Sequence, residues 1–198
     1  MSEQKPMQFV ETDEGTVKFE IVKLAPCKFV GKSVYAREHG RETGGIFKYC
    51  RENFGWVFDE LDTLNEYATG EVHNTALKTW DCYFGESRTC FDMVFSQSCM
   101  VGYHVGRFMK ADCPVPEDMD AIEMPEIHIA KGWLQSDPPD AVFHKPKLIP
   151  LYTAMEEEAG RQGFDLTSWI LMADVFPAPD ANGAALYGQY SSCTPKPV

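Results

Sequence analysis

The sequence lacks any concentration of basic residues: its 198 residues include 18 Lys and Arg against 30 Asp and Glu, a formal net charge of −12 at pH 7. Nucleic-acid binding needs clustered Lys and Arg that displace phosphate counterions, so we expect no direct nucleic-acid partner. The chain also lacks a run of about 20 apolar residues, and its start, 1–6, has no apolar signal core. We therefore expect a cytoplasmic protein with no membrane partner.

Paired metal-ligand motifs are missing as well. The seven cysteines are irregularly spaced and never form C-x-x-C, and the five histidines show no paired ligand spacing. An odd number of scattered cysteines favours reduced thiols over a disulfide framework or a zinc site. We expect no metal and no cofactor. No Pro-, Gly- or Ser-rich linker divides the chain, so we predict a single domain over 1–198.

Aromatic residues, at 13%, are what the chain has in excess. Hydrophobic periodicity predicts a strand pair, a helix, a loop and two strands in the first half, at 17–24, 29–35, 44–64, 65–79, 80–84 and 91–105. After a surface connection the same order follows: two strands within 119–133, a shorter helix over 148–159 that Gly163 ends, and strands at 166–176 and 184–193.

The two halves also agree at residue level, because Pro26 and Pro125 lie 125 − 26 = 99 positions apart, each within a strand pair. We predict pseudo-repeats over about 17–108 and 119–193, with chance similarity between amphipathic strands as the alternative. Two such units bury their apolar faces best as one antiparallel sheet. The predicted fold is therefore α+β, with duplicated β-α-β-β units, two helices on one face and a central groove.

Three segments resemble the GyrI-like family, also called the bacterial transcription-activator effector-binding domain. They are the opening strand V-K-L-A-P-C-K-F-V-G (22–31), the mid-chain strand 95–105 with V-G-Y, and the proline-bearing acidic loop and strand 114–133. The resemblance covers about 17–193. It implies a groove lined by aromatic residues of both units, which in relatives binds hydrophobic, often cationic compounds; some stand-alone relatives hydrolyse cyclopropane-bearing genotoxins.

The chain departs from the family pattern at its acidic positions. Many members carry a glutamate in the last strand, where this sequence has Gly188 or Gln189, and 167–171 lacks the glutamate usual after the second helix. Both cation recognition and hydrolysis by the family route are therefore left open.

Flat aromatic side chains stack on organic ligands and cations, so they are the first candidates for a binding groove, with ordinary core packing as the alternative. The predicted ligand-binding residues are Trp56, Trp80, Tyr83, Tyr103, His128, Trp133, Trp169, Tyr187 and Tyr190. His128 replaces an aromatic residue of the first unit and could act as an acid or base. The other catalytic candidates are the carboxylates of Glu60 and Glu126.

These residues support three hypotheses. The first is a stand-alone protein that senses or sequesters a small hydrophobic or amphipathic molecule, in some cases cationic. The second is a hydrolase of a reactive, cyclopropanoid-type electrophile, with a groove carboxylate activating water. The third is an acidic inhibitor that binds a topoisomerase-like protein partner.

Overall fold

The computed structural model describes residues 8–9, 18–35, 53–70, 74–80, 100–136, 145–167, 171–179 and 185–197. The strands within them are β1 Gln8–Phe9, β2 Phe19–Leu24, β3 Cys27–Tyr35, β4 Thr75–Trp80, β5 Met100–Lys110, β6 Asp120–Met124, β7 Ile127–Ser136, β8 Phe164–Leu166, β9 Met172–Pro179 and β10 Ala185–Pro195. The helices are α1 Gly55–Asp62, a 3-10 turn Asn65–Tyr67 and α2 Lys145–Arg161. The chain is thus α+β, which confirms the predicted class.

All the strand pairs are antiparallel, and the sheet runs in the order β1-β7-β10-β9-β4-β5-β3-β6. Strand β2 also pairs with β7, and β8 with β10. The predicted helix stop is confirmed, because Gly163 follows α2 with φ +81°, in the left-handed region that favours glycine.

The hairpins β2–β3 and β6–β7 exchange their first strands. Strand β2 leaves β3 to pair with β7, where Leu24 lies opposite Ile127. Strand β6 leaves β7 to pair with β3, where Met124 lies opposite Cys27. A shift of 100 residues converts one pair into the other (124 − 24 = 100, 127 − 27 = 100).

Directly paired residues lie on the same face of the sheet, so the strand register shows which residues of every strand share a face. Both helices pack on the same one, here called the helix-bearing face: Val57 of α1 packs in a cluster with Val30, and Leu151 of α2 in a cluster with Ala130. The opposite, inner face is curled around a core that joins both halves of the chain. Its buried members are Leu24, Cys27, Phe29, Phe108, Ile129, Trp133, Leu171, Ala173, Val175 and Tyr190.

Several predicted boundaries are wrong. The predicted loop 65–79 contains the 3-10 turn and most of β4. The strand predicted over 91–105 continues to Lys110, and its residues before 100 lie outside the described ones. The strand predicted over 166–176 is two strands, β8 and β9. In the described residues, no helix has the length and apolar character needed to cross a membrane.

Candidate functional site

The centre of the sheet is the pairing of β4 with β9. Here Ala76 lies opposite Asp174, and the same row continues through Val105 of β5 on one side and through Gln189 and Gly132 on the other. We call this row of five residues the central seam. Its register places it on the helix-bearing face, since Gly132 alternates with Lys131 and Trp133 of the inner face.

Gln189 is the unusual residue of the central seam. Its side chain is 1% exposed, and its Oε1 has no hydrogen-bond partner among the described residues. Leaving a buried amide oxygen unpaired costs about 1–3 kcal/mol. Native proteins seldom accept this cost, and a bound water or ligand is a common reason when they do.

The two helices are fixed on either side of the central seam. Arg107 of β5 holds α1, because its Nη1 donates to Asp62 Oδ1 at 2.6 Å. Its Nε donates to Asn74 Oδ1, just before β4, at 2.6 Å. Helix α2 is held by close packing on Gly132, where a Cβ atom would lie 2.5 Å from Met155 Cγ. The helix positions therefore depend on contacts at Gly132, one end of the row containing Gln189, and at Arg107, two residues from Val105 at its other end.

Trp133 and Tyr190, predicted to bind a ligand, lie together on the inner face. Their rings meet edge to face with centroids 6.2 Å apart, and they are 7% and 0% exposed. Lysines of the chain itself cover both rings: Lys18 Nζ lies 5.9 Å from the Trp133 ring and Lys131 Nζ 5.7 Å from the Tyr190 ring. Lys131 Nζ also pairs with Glu20 at 3.0 Å. These rings are thus packed in the core of the curled sheet.

Three other predicted residues lie elsewhere. Tyr103 is buried on β5, on the same face as Val105 of the central seam. Trp56 of α1 is 42% exposed, and its ring centroid lies 6.4 Å from that of Phe54. His128 is half-buried at the start of β7, with its ring 5.4 Å from Phe164. Of the three, Tyr103 is the one that the register brings next to the central seam.

The remaining aromatic predictions are not described to the level of their side chains. Trp80 ends β4 and Tyr187 lies in β10, opposite Leu134, but only their backbone positions are described. Tyr83 and Trp169 lie outside the described residues.

The three catalytic candidates lie on different elements. Glu60 is exposed on α1, and Glu126 is exposed in the turn before β7, where it pairs with Lys23 at 2.7 Å. His128 packs on Phe164. In the part of the chain that the structure describes, no hydrogen bond or ion pair links any two of them, and no group of His, Cys, Asp and Glu has the arrangement of a metal site.

The described cysteines behave as core residues. Cys27, Cys113 and Cys193 are free and buried. Burial raises the pKa of the Cys193 thiol to about 11, against the smaller opposing effect of a hydrogen bond from the Ala130 backbone. A thiol held protonated in this way is a poor nucleophile.

Sequence reasoning missed His104, which is 2% exposed on the inner face. Its Nδ1 lies 3.0 Å from Ser33 Oγ, whereas its Nε2 has no partner among the described residues. Burial lowers the pKa of His104, and the nearby Asp120 opposes that shift. The only signal in the sequence is that this histidine stands between Tyr103 and Val105 in a largely apolar strand.

Comparisons with known proteins give no family. No family model matches the sequence, and no curated protein matches it. Among solved structures, an integron cassette protein from the mobile metagenome of Vibrio cholerae aligns with a TM-score of 0.44 and 8% identity, over 96% of this chain and 100% of that chain. A likeness at this level carries no argument about function.

Proposed function

We propose that the protein is a GyrI-like domain that senses or sequesters a small hydrophobic or amphipathic molecule at the central seam. The observation that carries this proposal is the buried carboxamide oxygen of Gln189, which lies in the middle row of the sheet and has no hydrogen-bond partner among the described residues. A ligand that donates a hydrogen bond there would remove the cost of burying that oxygen.

The reciprocal exchange of β2 and β6 supports two duplicated β-α-β-β units. Each exchanged strand meets the other half at equivalent positions under a shift of 100 residues, as Leu24 and Met124 illustrate. The prolines at 26 and 125 are 99 apart, so they lie one position out of this register. With two such units, the central seam would lie on their pseudo-two-fold axis, and we propose that both units contribute to one groove there.

The charge of the whole chain favours a ligand with an ammonium or amide donor. Asp174 occupies the register position opposite Gln189 in β9. The chain carries a net charge of −12, which raises the local concentration of cations around it. Tyr103 adds an aromatic residue on the same face.

Replacement of Gln189 by leucine tests the proposal. Isothermal titration of the full chain with planar hydrophobic cations and their neutral counterparts should find a binding cation, and Gln189→Leu should weaken it about tenfold, the worth of one hydrogen bond to a charged group. Gln162→Leu is the matched control, because Gln162 is exposed and its Nε2 donates to Glu158. A panel in which nothing binds, or equal affinities in wild type and Gln189→Leu, would contradict the proposal.

A further inference from the structure

A cavity opens where β2 separates from β3. The two strands share the turn at 25–26, but β2 pairs with β7 whereas β3 pairs with β5 and β6. The separation leaves a cavity of about 490 Å³ between β2 and the end of β5. This volume falls within the range of roughly 300–1,000 Å³ that small-molecule sites occupy.

Part of the cavity lining is apolar. It comes from Val22 and Leu24 of β2, Pro26 of the turn that follows and Cys27 at the start of β3. Leu24 and Cys27 are also members of the inner-face core, with 8% and 2% exposure. The cavity therefore offers a hydrocarbon surface that continues into the core.

The cavity lining also includes an ammonium group that no described carboxylate neutralises. Lys110, at the end of β5, donates from Nζ to the backbone oxygen of Glu66 at 2.7 Å, a neutral acceptor. The other charged residues of the cavity are paired: Glu20 with Lys131 at 3.0 Å and Lys23 with Glu126 at 2.7 Å. A chain with 30 acidic residues thus presents a net positive group at this cavity.

We infer that this cavity binds a small organic acid, with the carboxylate at Lys110 Nζ and the apolar body against Val22 and Leu24. An ammonium and a carboxylate form a charge-assisted hydrogen bond, which is about twice as strong as a neutral one. The site is separate from the central seam, since none of the five seam residues lines the cavity.

The test uses the full chain and three probes of equal length: octanoate, octylamine and octanol. Isothermal titration should show saturable binding of octanoate and much weaker binding of the other two. Lys110→Gln should lower octanoate affinity about tenfold, because it removes the charge-assisted hydrogen bond. Lys32→Gln is the matched control, since Lys32 Nζ also donates to a backbone oxygen, that of Asp118, at 2.7 Å.

A second variant fills the cavity instead of changing its charge. Gly70 lines the cavity and has open space around its Cβ position, so Gly70→Leu should fold normally and still exclude octanoate. Gln189→Leu should leave octanoate binding unchanged, which separates this site from the central seam. The inference is overturned if octanoate shows no saturable binding, if octylamine or octanol binds equally well, or if Lys110→Gln and Gly70→Leu both bind octanoate as the wild type does.

Discussion

Strands β3 and β5 meet at two glycines, whereas β7 and β10, which form the matching contact in the second half of the chain, meet at two large side chains. Gly31 lies opposite Gly106, and Lys131 lies opposite Tyr190. At the first contact a Cβ on Gly31 would lie 1.9 Å from Val105 O, and one on Gly106 would lie 2.0 Å from the backbone oxygen of Val30. Neither glycine has a positive φ, so what they supply is room for two backbones.

The difference shows two ways to close the same curled sheet. In the first half the backbones approach until no side chain fits between them. In the second half the space is filled by Lys131 Nζ, 5.7 Å from the Tyr190 ring centroid and paired with Glu20. Close-packed interiors resist both added and removed volume, so the two contacts should fail under opposite kinds of substitution.

Gly31→Ala should have the largest effect. The new methyl group would overlap the Val105 carbonyl, which is backbone and cannot rotate away. We expect a loss of about 3 kcal/mol or more in the free energy of unfolding, at the upper end of overpacking effects. Urea denaturation followed by circular dichroism measures it.

The control for this prediction is Gly55→Ala, because Gly55 starts α1 and has nothing near its Cβ position. Alanine is the better helix former there by up to about 1 kcal/mol. If Gly31→Ala unfolds at the same urea concentration as wild type, β3 and β5 do not approach as closely as described.

Gly188→Ala should come next. Gly188 lies opposite Trp133, and an added Cβ would be 2.8 Å from Trp133 Cζ3. Because a side chain can shift more easily than a backbone, we expect a loss of about 2 kcal/mol. Trp133→Phe removes the clashing ring edge, so the double variant should recover about 1 kcal/mol relative to additivity. If the losses of unfolding free energy, measured by thermal unfolding, are strictly additive in the double variant, the two residues do not compete for space.

Lys131 tests the contact that side chains fill. Lys131→Ala should cost about 2 kcal/mol, since it removes both the aliphatic stem over Tyr190 and the buried charge. Lys131→Met keeps the stem and should stay within about 1 kcal/mol of wild type, because hydrophobic replacements of buried ion pairs are often neutral. Equal losses in the two variants would mean that the charge, and not the packing, holds this contact together.

Particular residues show how far the sequence could predict this fold. Alternation along β2 correctly predicts a half-buried strand, and Gly163 correctly predicts the end of α2. The same alternation cannot name a partner strand, so the exchange of β2 and β6 was not foreseen. The strand at Thr75 was missed because it follows the polar, glycine-containing segment before it.

The candidate site was harder to predict for a related reason. Aromatic composition says nothing about which face of a sheet a ring occupies, and a one-residue change of register exchanges the faces. Trp133 and Tyr190 therefore looked like groove residues but pack inside the curled sheet. The sequence marks Gln189 only as a replacement for an acidic residue, because its burial and the lack of a described partner for its Oε1 depend on strands that are distant in sequence.

The smallest predicted effect concerns the next pair along the two contacts, where Ser33 lies opposite His104 in the first half and Trp133 opposite Gly188 in the second. Burial beside Phe29 lowers the pKa of His104 below its ordinary 6.5, with Asp120 opposing the shift. The folded protein therefore keeps the ring neutral while the unfolded chain takes up a proton below about pH 6.5, so the contribution of His104 to stability is complete above that pH and is lost as the pH falls.

His104 can change the free energy of unfolding by at most about 1.4 kcal/mol per pH unit, which is the limit for the uptake of one proton. His104→Gln should remove it from unfolding free energies measured between pH 7 and 5, whereas Ser33→Ala, which keeps the imidazole, should retain it. Asp120→Asn should steepen it, because the carboxylate that favours the charged ring is gone. If the pH dependence of the unfolding free energy is the same in His104→Gln as in wild type, water reaches the His104 ring. The Ser33–His104 pair would then be open to solvent, unlike the Trp133–Gly188 pair.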